Sequence, residues 1–259
     1  MDTSWFDSSQ VPARHSTCSF RKPPISNTTP LPTHSSYQHL SDQLSNVFHP
    51  YIRHIQDVRP DGNCGFRAIS ASIGDHEDNW PTVRHNLLQE LMNYREEYEN
   101  MFGVGECNGI YDALNFFWTD RVAPEEYWLS TDMGVMIASA YNVIFHILSS
   151  GGGATYFPLR SSPPPLHQHT HMAIGHVNGA HWVKVTLIEG YPMPPIHPRW
   201  TYFKYDIAAA WATLDLAEFS AKRTPLATAR DEGVVGEAFI KFGEEFGEAL
   251  ALHSPSLSR

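Results

Sequence analysis

A cysteine and a histidine, far apart along the chain, are the residues best suited to chemistry. Cys64 follows an Asp-Gly-Asn turn at residues 61–63 and opens a run that can be helical, residues 66–73. A thiol at a helix N-terminus lies at the positive end of the helix dipole, which favours the thiolate. His181 lies far downstream, directly before an alternating apolar run that is typical of a strand. The pair predicts nucleophilic catalysis, with Cys64 as the attacking group and His181 as its base.

The same turn offers donors for an oxyanion. Gly62 lets the backbone take turn geometry without a clash at Cβ. The N–H of Cys64 and the neighbouring N–H groups of the turn can therefore face a tetrahedral intermediate. The donors lie beside the nucleophile because the turn directly precedes the helix.

The other cysteines and histidines do not suggest a metal centre. The chain has three cysteines, an odd number, at wide spacings and without a Cys-x-x-Cys pair: Cys18, Cys64 and Cys107. A disulfide framework and a structural zinc site are both disfavoured by that pattern. His167, His169 and His171 alternate in a Pro-rich segment without a nearby carboxylate or cysteine. We expect a solvated loop there, no metal and no cofactor.

Charge and hydropathy restrict the partners. The formal net charge is −10 over 259 residues. Nucleic acid is disfavoured because phosphate binding usually needs a basic surface, whereas a basic protein partner fits. No apolar run approaches the roughly 20 residues that span a bilayer, and the first residues lack a basic segment followed by an apolar one. We expect a cytoplasmic or nuclear protein that makes no contact with membranes.

The order of helices and strands predicts an α+β fold. Residues 1–35 are rich in Ser, Thr and Pro and are expected to form a disordered tail, or else an extended arm packed on the domain. A catalytic domain is expected over residues 36–200 and a helical extension over 201–259. Helices are predicted over residues 36–48, 80–101, 111–117, 132–140, 207–219 and 234–252, and strands over 51–58, 143–148, 155–159, 172–174 and 182–187, with a flexible turn at 151–153. Because the strands come mostly late in the chain, we expect a mostly antiparallel central sheet flanked by helices.

Residues 61–68, Asp-Gly-Asn-Cys-Gly-Phe-Arg-Ala, resemble the cysteine motif of the ovarian tumour (OTU) family of deubiquitinating cysteine proteases. Residues 178–182, Asn-Gly-Ala-His-Trp, resemble the histidine motif of the same family. Residues 128–134 and the apolar strand 143–148 follow in the family's order, so the resemblance covers residues 50–190. The long form of the pattern is most similar to OTU-like domains of fungal and plant proteins.

The resemblance implies an OTU-like fold and hydrolysis of isopeptide or peptide bonds after the C-terminal Gly-Gly of ubiquitin or a ubiquitin-like protein. It implies that Cys64 is the nucleophile, that His181 is the general base and then the general acid, and that Asp61 belongs to the active site. No cofactor is implied, and we expect a monomer. Five residues are assigned to the oxyanion hole or to a narrow channel for the substrate tail: Gly62, Asn63, Gly65, Gly179 and Trp182.

The chain departs from the family pattern at one position. Many members carry Asp or Asn two residues after the histidine, where it orients the imidazole, and here that residue is Val183. Asp61, Asp57, a polar residue of another loop or a backbone carbonyl could take this role. The departure supports an alternative function, a catalytically weak domain that binds ubiquitin without turnover. A papain-like enzyme is disfavoured because the cysteine lacks the Cys-Gly-Ser-Cys-Trp setting.

Overall fold

The computed structural model describes residues 37–118 and 121–213. The helices are α1 Gln38–Ser41, α2 Cys64–Ser72, α3 Trp80–Asn93, α4 Arg95–Phe102, α5 Val104–Leu114, α6 Gly134–Tyr141 and α7 Pro198–Phe203. The strands are β1 Ile52–Gln56, β2 Ile144–Ser149, β3 Gly152–Tyr156, β4 His171–Val177 and β5 His181–Leu187. The predicted tail 1–35, the predicted helix 234–252 and the predicted helix 207–219 beyond residue 213 lie outside the described residues.

The strands of the described region form one sheet in the order β1-β5-β4-β2-β3. Neighbouring strands run antiparallel except for β2 and β4, which are parallel. The prediction of an α+β fold with a mostly antiparallel central sheet flanked by helices is therefore confirmed. Within residues 37–118 and 121–213, none of the helices is long and apolar enough to cross a membrane.

The sheet separates a large apolar cluster from a small one. Trp182 belongs to the large cluster with residues of α2, α3, α5 and α6, whereas Val183 and Val185 belong to the small one with Leu40 and Phe48. Successive strand residues point to opposite faces, so β5 contributes to both clusters. β5 is thereby held on both faces, and its first residue is His181.

The predicted single helix over residues 80–101 is wrong in one respect, because it is two helices. Tyr94 interrupts it with φ −127° and ψ 32°, outside the helical region. Past this break Tyr98 is wholly buried and donates its hydroxyl to Glu90 Oε1 at 2.6 Å. The apolar spacing continues smoothly through residue 98, so the spacing alone does not reveal the break.

Further elements differ from the predictions. The helix predicted over residues 36–48 covers only Gln38–Ser41, because the N–H of Ser45 donates to the carbonyl oxygen of Ser149 instead. The helix predicted from residue 207 begins as a 3-10 turn, Asp206–Ala209.

The helix expected over residues 111–117 begins earlier, at Val104, and contains the buried Cys107. Gly152 and Gly153 belong to β3 instead of a flexible turn. A Cβ at Gly153 would lie 2.6 Å from the carbonyl oxygen of Ile147, so the strand needs glycine for close packing. α7 was not predicted, because its six residues follow a Pro-rich segment.

Candidate active site

A tight hairpin places His181. β4 ends at Val177, which pairs with His181 across the turn. Asn178, Gly179 and Ala180 connect them. The first two have φ of 55° and 71°, the left-handed conformation that Asn and Gly adopt most readily. Because the turn is short and β5 is packed on both faces, the backbone of His181 is held in a fixed position.

Two close approaches place Cys64 at the first residue of α2. Gly62 has φ 78°, and a Cβ there would lie 2.5 Å from the carbonyl oxygen of Ala123. A Cβ at Gly65 would clash with the side chain of Leu129. The turn and the first helical residues therefore pack directly on the segment 123–129, and only glycine fits at these two positions. Cys64 itself is 4% exposed.

The thiol and a carboxylate both act on His181. Nε2 of His181 donates to Oδ1 of Asp57 at 2.7 Å. A hydrogen bond with the Cys64 thiol raises the pKa of His181 to about 9; burial opposes this shift and the bond to Asp57 adds to it. Since Asp57 holds Nε2, Nδ1 is the ring nitrogen left to accept the thiol proton. The order is therefore thiol, imidazole and carboxylate, as nucleophilic catalysis requires.

Val183, two residues after His181, packs in the hydrophobic core and does not contact the imidazole through a polar group. Val183 is wholly buried in the small apolar cluster against α1. Asp57 lies directly after β1, whose last residue Gln56 pairs with Lys184 of β5. The pairing of β1 with β5 thus brings an acidic residue from upstream in the chain to the imidazole.

Asp61 contacts a different cation. Its carboxylate accepts from Nε of Arg67 at 3.1 Å and from Nη2 at 2.6 Å, and from the N–H of Asn63 at 3.0 Å. Burial opposes ionisation, but these hydrogen bonds outweigh it and lower the pKa of Asp61. Arg67, whose side chain is 3% exposed, also bonds Asp78 at 2.6 Å. The structure therefore places Asp57, and not Asp61, on His181, while Asp61 ties the turn to α2.

A buried arginine, Arg84, binds the turn that precedes Cys64. Sequence reasoning missed this residue. Nη2 of Arg84 donates to Oδ1 of Asn63 and to the carbonyl oxygen of Tyr127, both at 2.8 Å. Its guanidinium also donates to the carbonyl of Ala113 and lies 3.9 Å from the ring centroid of Phe66. Burial lowers the pKa of Arg84 to about 9, so it remains charged at neutral pH. Its place on the buried stripe of α3, four residues after Trp80, was the available signal.

Three other residues that the sequence assigned to the site lie in buried positions or in the hairpin turn. The side chain of Asn63 is buried and engaged by Arg84. Trp182 is buried in the large cluster, with its ring 4.6 Å from that of His176. Gly179 lies in the hairpin turn, and a Cβ there would meet nothing within 4 Å. Within the part of the chain that the structure describes, no group of three or more His, Cys, Asp or Glu residues is arranged to hold a metal ion.

Several OTU domains are among the solved structures to which the chain is similar. The viral OTU domain protease from Farallon virus is 22% identical, with 55% of this chain and 88% of that chain covered and a TM-score of 0.36. The OTU domain of OTUD1 is 14% identical, with 51% and 85% covered and a TM-score of 0.38. The Hazara virus OTU bound to ubiquitin is 14% identical, with 56% and 87% covered and a TM-score of 0.38. A scan of protein-family models and a search of curated proteins gave no match.

Proposed function

We propose that this chain is a cysteine-dependent hydrolase of the OTU type, which cleaves isopeptide or peptide bonds after the C-terminal Gly-Gly of ubiquitin or a ubiquitin-like protein. The observation that carries the proposal is the hydrogen bond of 2.7 Å between His181 and Asp57, on an imidazole whose pKa is also raised by Cys64. In this assignment Cys64 is the nucleophile, His181 the general base and acid, and Asp57 the residue that orients the imidazole.

The first half of the reaction forms a thioester. Nδ1 of His181 takes the proton of the Cys64 thiol, and Asp57 stabilises the imidazolium through Nε2. The thiolate sulfur attacks the carbonyl carbon of the terminal glycine, and the carbonyl becomes a tetrahedral oxyanion. As the bond to the substrate lysine breaks, His181 gives its proton to the leaving amine. The glycine then remains bound to the cysteine as a thioester.

The second half restores the enzyme. His181 takes a proton from water, and the hydroxide attacks the thioester carbonyl. The carbon–sulfur bond breaks, the new carboxyl group loses its proton to solvent and leaves as the ubiquitin carboxylate, and the imidazolium returns its proton to Cys64. In both halves the oxyanion is stabilised by the N–H groups of Cys64 and Gly65, because the first N–H groups of a helix have no partner within the helix.

The site also favours turnover over simple binding. The reason to consider a catalytically weak ubiquitin-binding module was Val183 in place of an acid. Asp57 supplies a carboxylate to the imidazole at 2.7 Å, which supports the active enzyme. The formal net charge of −10 is suited to the basic C-terminal tail of ubiquitin through long-range attraction. The same proposal includes three further expectations: a relation to the OTU-like domains of fungal and plant proteins, a monomeric state, and a cytoplasmic or nuclear location.

A covalent probe tests the proposal. The protein is incubated with ubiquitin that carries an electrophile at its C-terminus, and the adduct is measured by mass spectrometry. We expect one adduct per chain, which Cys64→Ala abolishes and the control Cys107→Ala preserves. The same probe built on ubiquitin-like proteins that end in Gly-Gly compares the modifiers. Absence of an adduct with every modifier, or an adduct that persists in Cys64→Ala, would contradict the assignment.

A further inference from the structure

Two histidines and a tyrosine meet on the sheet at a place the proposed reaction does not use. The hydroxyl of Tyr191 lies 2.7 Å from Nε2 of His146 and 2.9 Å from Nδ1 of His171, and the two nitrogens are 3.5 Å apart. His146 is wholly buried in β2, whereas His171 is exposed at the start of β4. Three potential ligand atoms thus lie within 3.5 Å of one another, two on buried residues and one on an exposed residue.

The hydrogen bonds around His146 fix which nitrogen carries its proton. The hydroxyl of Thr155 donates to the carbonyl oxygen of Pro194 at 2.7 Å, so its only hydrogen is used. Thr155 must then accept from Nδ1 of His146, which lies 3.0 Å away. Nε2 therefore carries a lone pair that points toward Tyr191 and His171. Metal-binding histidines are commonly oriented in this way, by a second hydrogen bond from the ring nitrogen that does not bind the metal.

The triangle of donor atoms has dimensions that one ion can satisfy. Its sides are 2.7, 2.9 and 3.5 Å, and the circle through its corners has a radius of about 1.8 Å. Zinc–nitrogen and zinc–oxygen bonds are longer, about 2.0–2.2 Å. A point about 1 Å out of their plane therefore lies at bonding distance from all three atoms.

A cavity of about 260 Å³ adjoins the three side chains and is also lined by Ser72, Lys184 and Thr186. It has room for water to complete the coordination of an ion. The ammonium of Lys184 is turned away to the carbonyl oxygen of Ala71, at 2.7 Å.

We propose that His146, His171 and Tyr191 form a binding site for one divalent transition-metal ion, with two imidazoles, one phenolate and solvent as ligands. The set of nitrogen and oxygen donors suits zinc and its neighbours in the first transition row. The phenol proton passes to solvent when the ion binds, so the affinity rises with pH. The site is independent of the proposed hydrolase activity, since none of its residues belongs to the catalytic group.

Zinc titration of tag-free full-length protein tests the site. Cys64→Ala serves as the parent protein, because the thiol and His181 could themselves bind zinc. After removal of metal with a chelator, calorimetry is expected to show one equivalent of tightly bound Zn²⁺. Tyr191→Phe keeps the ring and removes only the oxygen, and His171→Ala removes an exposed ligand. Each variant is expected to weaken zinc binding at least tenfold.

His167→Ala is the matched control, because it removes an exposed histidine of the same segment that lies outside the cluster. It is expected to bind zinc as the parent does. Thermal unfolding without metal checks that Tyr191→Phe remains folded, and added zinc should raise the Tm of the parent but not of this variant. The site is refuted if the parent binds no zinc, if Tyr191→Phe and His171→Ala bind it as the parent does, or if His167→Ala loses as much affinity as they do.

Discussion

At the scale of single residues, two aspartates four positions apart have different environments. The carboxylate of Asp57 is 61% exposed and lies on His181, whereas that of Asp61 is 20% exposed and is bound by Arg67. A carboxylate on an imidazole changes the rate of a reaction, and a carboxylate on a buried guanidinium changes the stability of the fold. Substitution of each aspartate in turn should therefore separate the effect on rate from the effect on stability.

Asp57→Asn is expected to lower kcat/KM on a ubiquitin substrate by about 10²–10⁴-fold, because the imidazole loses its orienting charge. At about pH 9, where His181 loses its proton, its free energy of unfolding should stay within about 0.5 kcal/mol of the wild type, as for other exposed substitutions. Asp61→Asn is the comparison, and should lower the free energy of unfolding by about 1–3 kcal/mol. The roles are reversed if Asp61→Asn loses activity at unchanged stability while Asp57→Asn stays active. Enzyme assays and urea unfolding measure both quantities.

The raised pKa of His181 predicts a dependence of stability on pH. The pKa is about 9 in the folded protein and about 6.5 in an unfolded chain. A raised pKa means that the folded protein binds the proton more tightly, so the contribution to stability is complete below about pH 6.5 and is lost as the pH rises through about 9.

NMR titration of the His181 ring should show a pKa near 9 in the wild type and a lower pKa in Asp57→Asn, because one of the bonds to the protonated ring is removed. The difference in unfolding free energy between the two proteins should shrink as the pH rises from about 6.5 to 9. An unchanged pKa in the variant would contradict the contact between Asp57 and His181.

At the scale of elements, two turns place the reacting groups, and both use glycine at positive φ. Gly62 and Gly179 have φ of 78° and 71°. A Cβ at Gly62 meets Ala123 and Trp128, whereas a Cβ at Gly179 meets nothing within 4 Å. The first turn therefore needs glycine for both conformation and space, and the second needs it for conformation alone.

Gly179→Ala is expected to lower the free energy of unfolding by about 1–2 kcal/mol, the cost of a left-handed residue with a side chain. Gly62→Ala should cost more, since the backbone of the turn must also move away from Ala123. That movement shifts Cys64, so we expect Gly62→Ala to lower kcat as well. Urea unfolding and steady-state kinetics compare the two variants. Equal losses of stability would show that the contact with Ala123 has no effect.

At the scale of the whole molecule, the segment after the last strand contributes to the same core as α2, the helix that begins at Cys64. Trp200 and Trp211 are each 1% exposed and belong to the large apolar cluster that contains Cys64. The indole N–H of Trp200 donates to the carbonyl of Pro158 at 3.1 Å, and that of Trp211 to Ser161 at 2.8 Å. These residues are expected to stabilise the fold that holds the site.

Trp211→Ala should lower the free energy of unfolding by about 3–5 kcal/mol, because it leaves a large cavity in the core. Tyr202→Ala is the matched control: it removes another aromatic ring from the same segment, but one that is 82% exposed, so its effect should stay within about 0.5 kcal/mol. Thermal or urea unfolding measures both. A small effect of Trp211→Ala would mean that residues 201–213 are not integral to the core.

Local patterns predicted several elements correctly, because their causes lie in neighbouring residues. The turn before Cys64 and the alternating run after His181 gave α2 and β5 within two residues. The patterns failed where distant contacts decide. Tyr94 breaks a continuous apolar stripe, and Gly153 stays in a strand because Ile147 lies close to it. A sequence pattern carries no information on such approaches.

The sequence by itself predicted the proposed nucleophile and its proposed base, because a cysteine after an Asp-Gly-Asn turn and a histidine at a strand start are local features. Only the tertiary structure decided what acts on the histidine. The pairing of β1 with β5 brings Asp57 to His181 across more than 120 residues of chain, while Arg67 holds the nearer Asp61. Which carboxylate reaches an imidazole depends on strand register and on competing cations, and both are set by packing between distant segments.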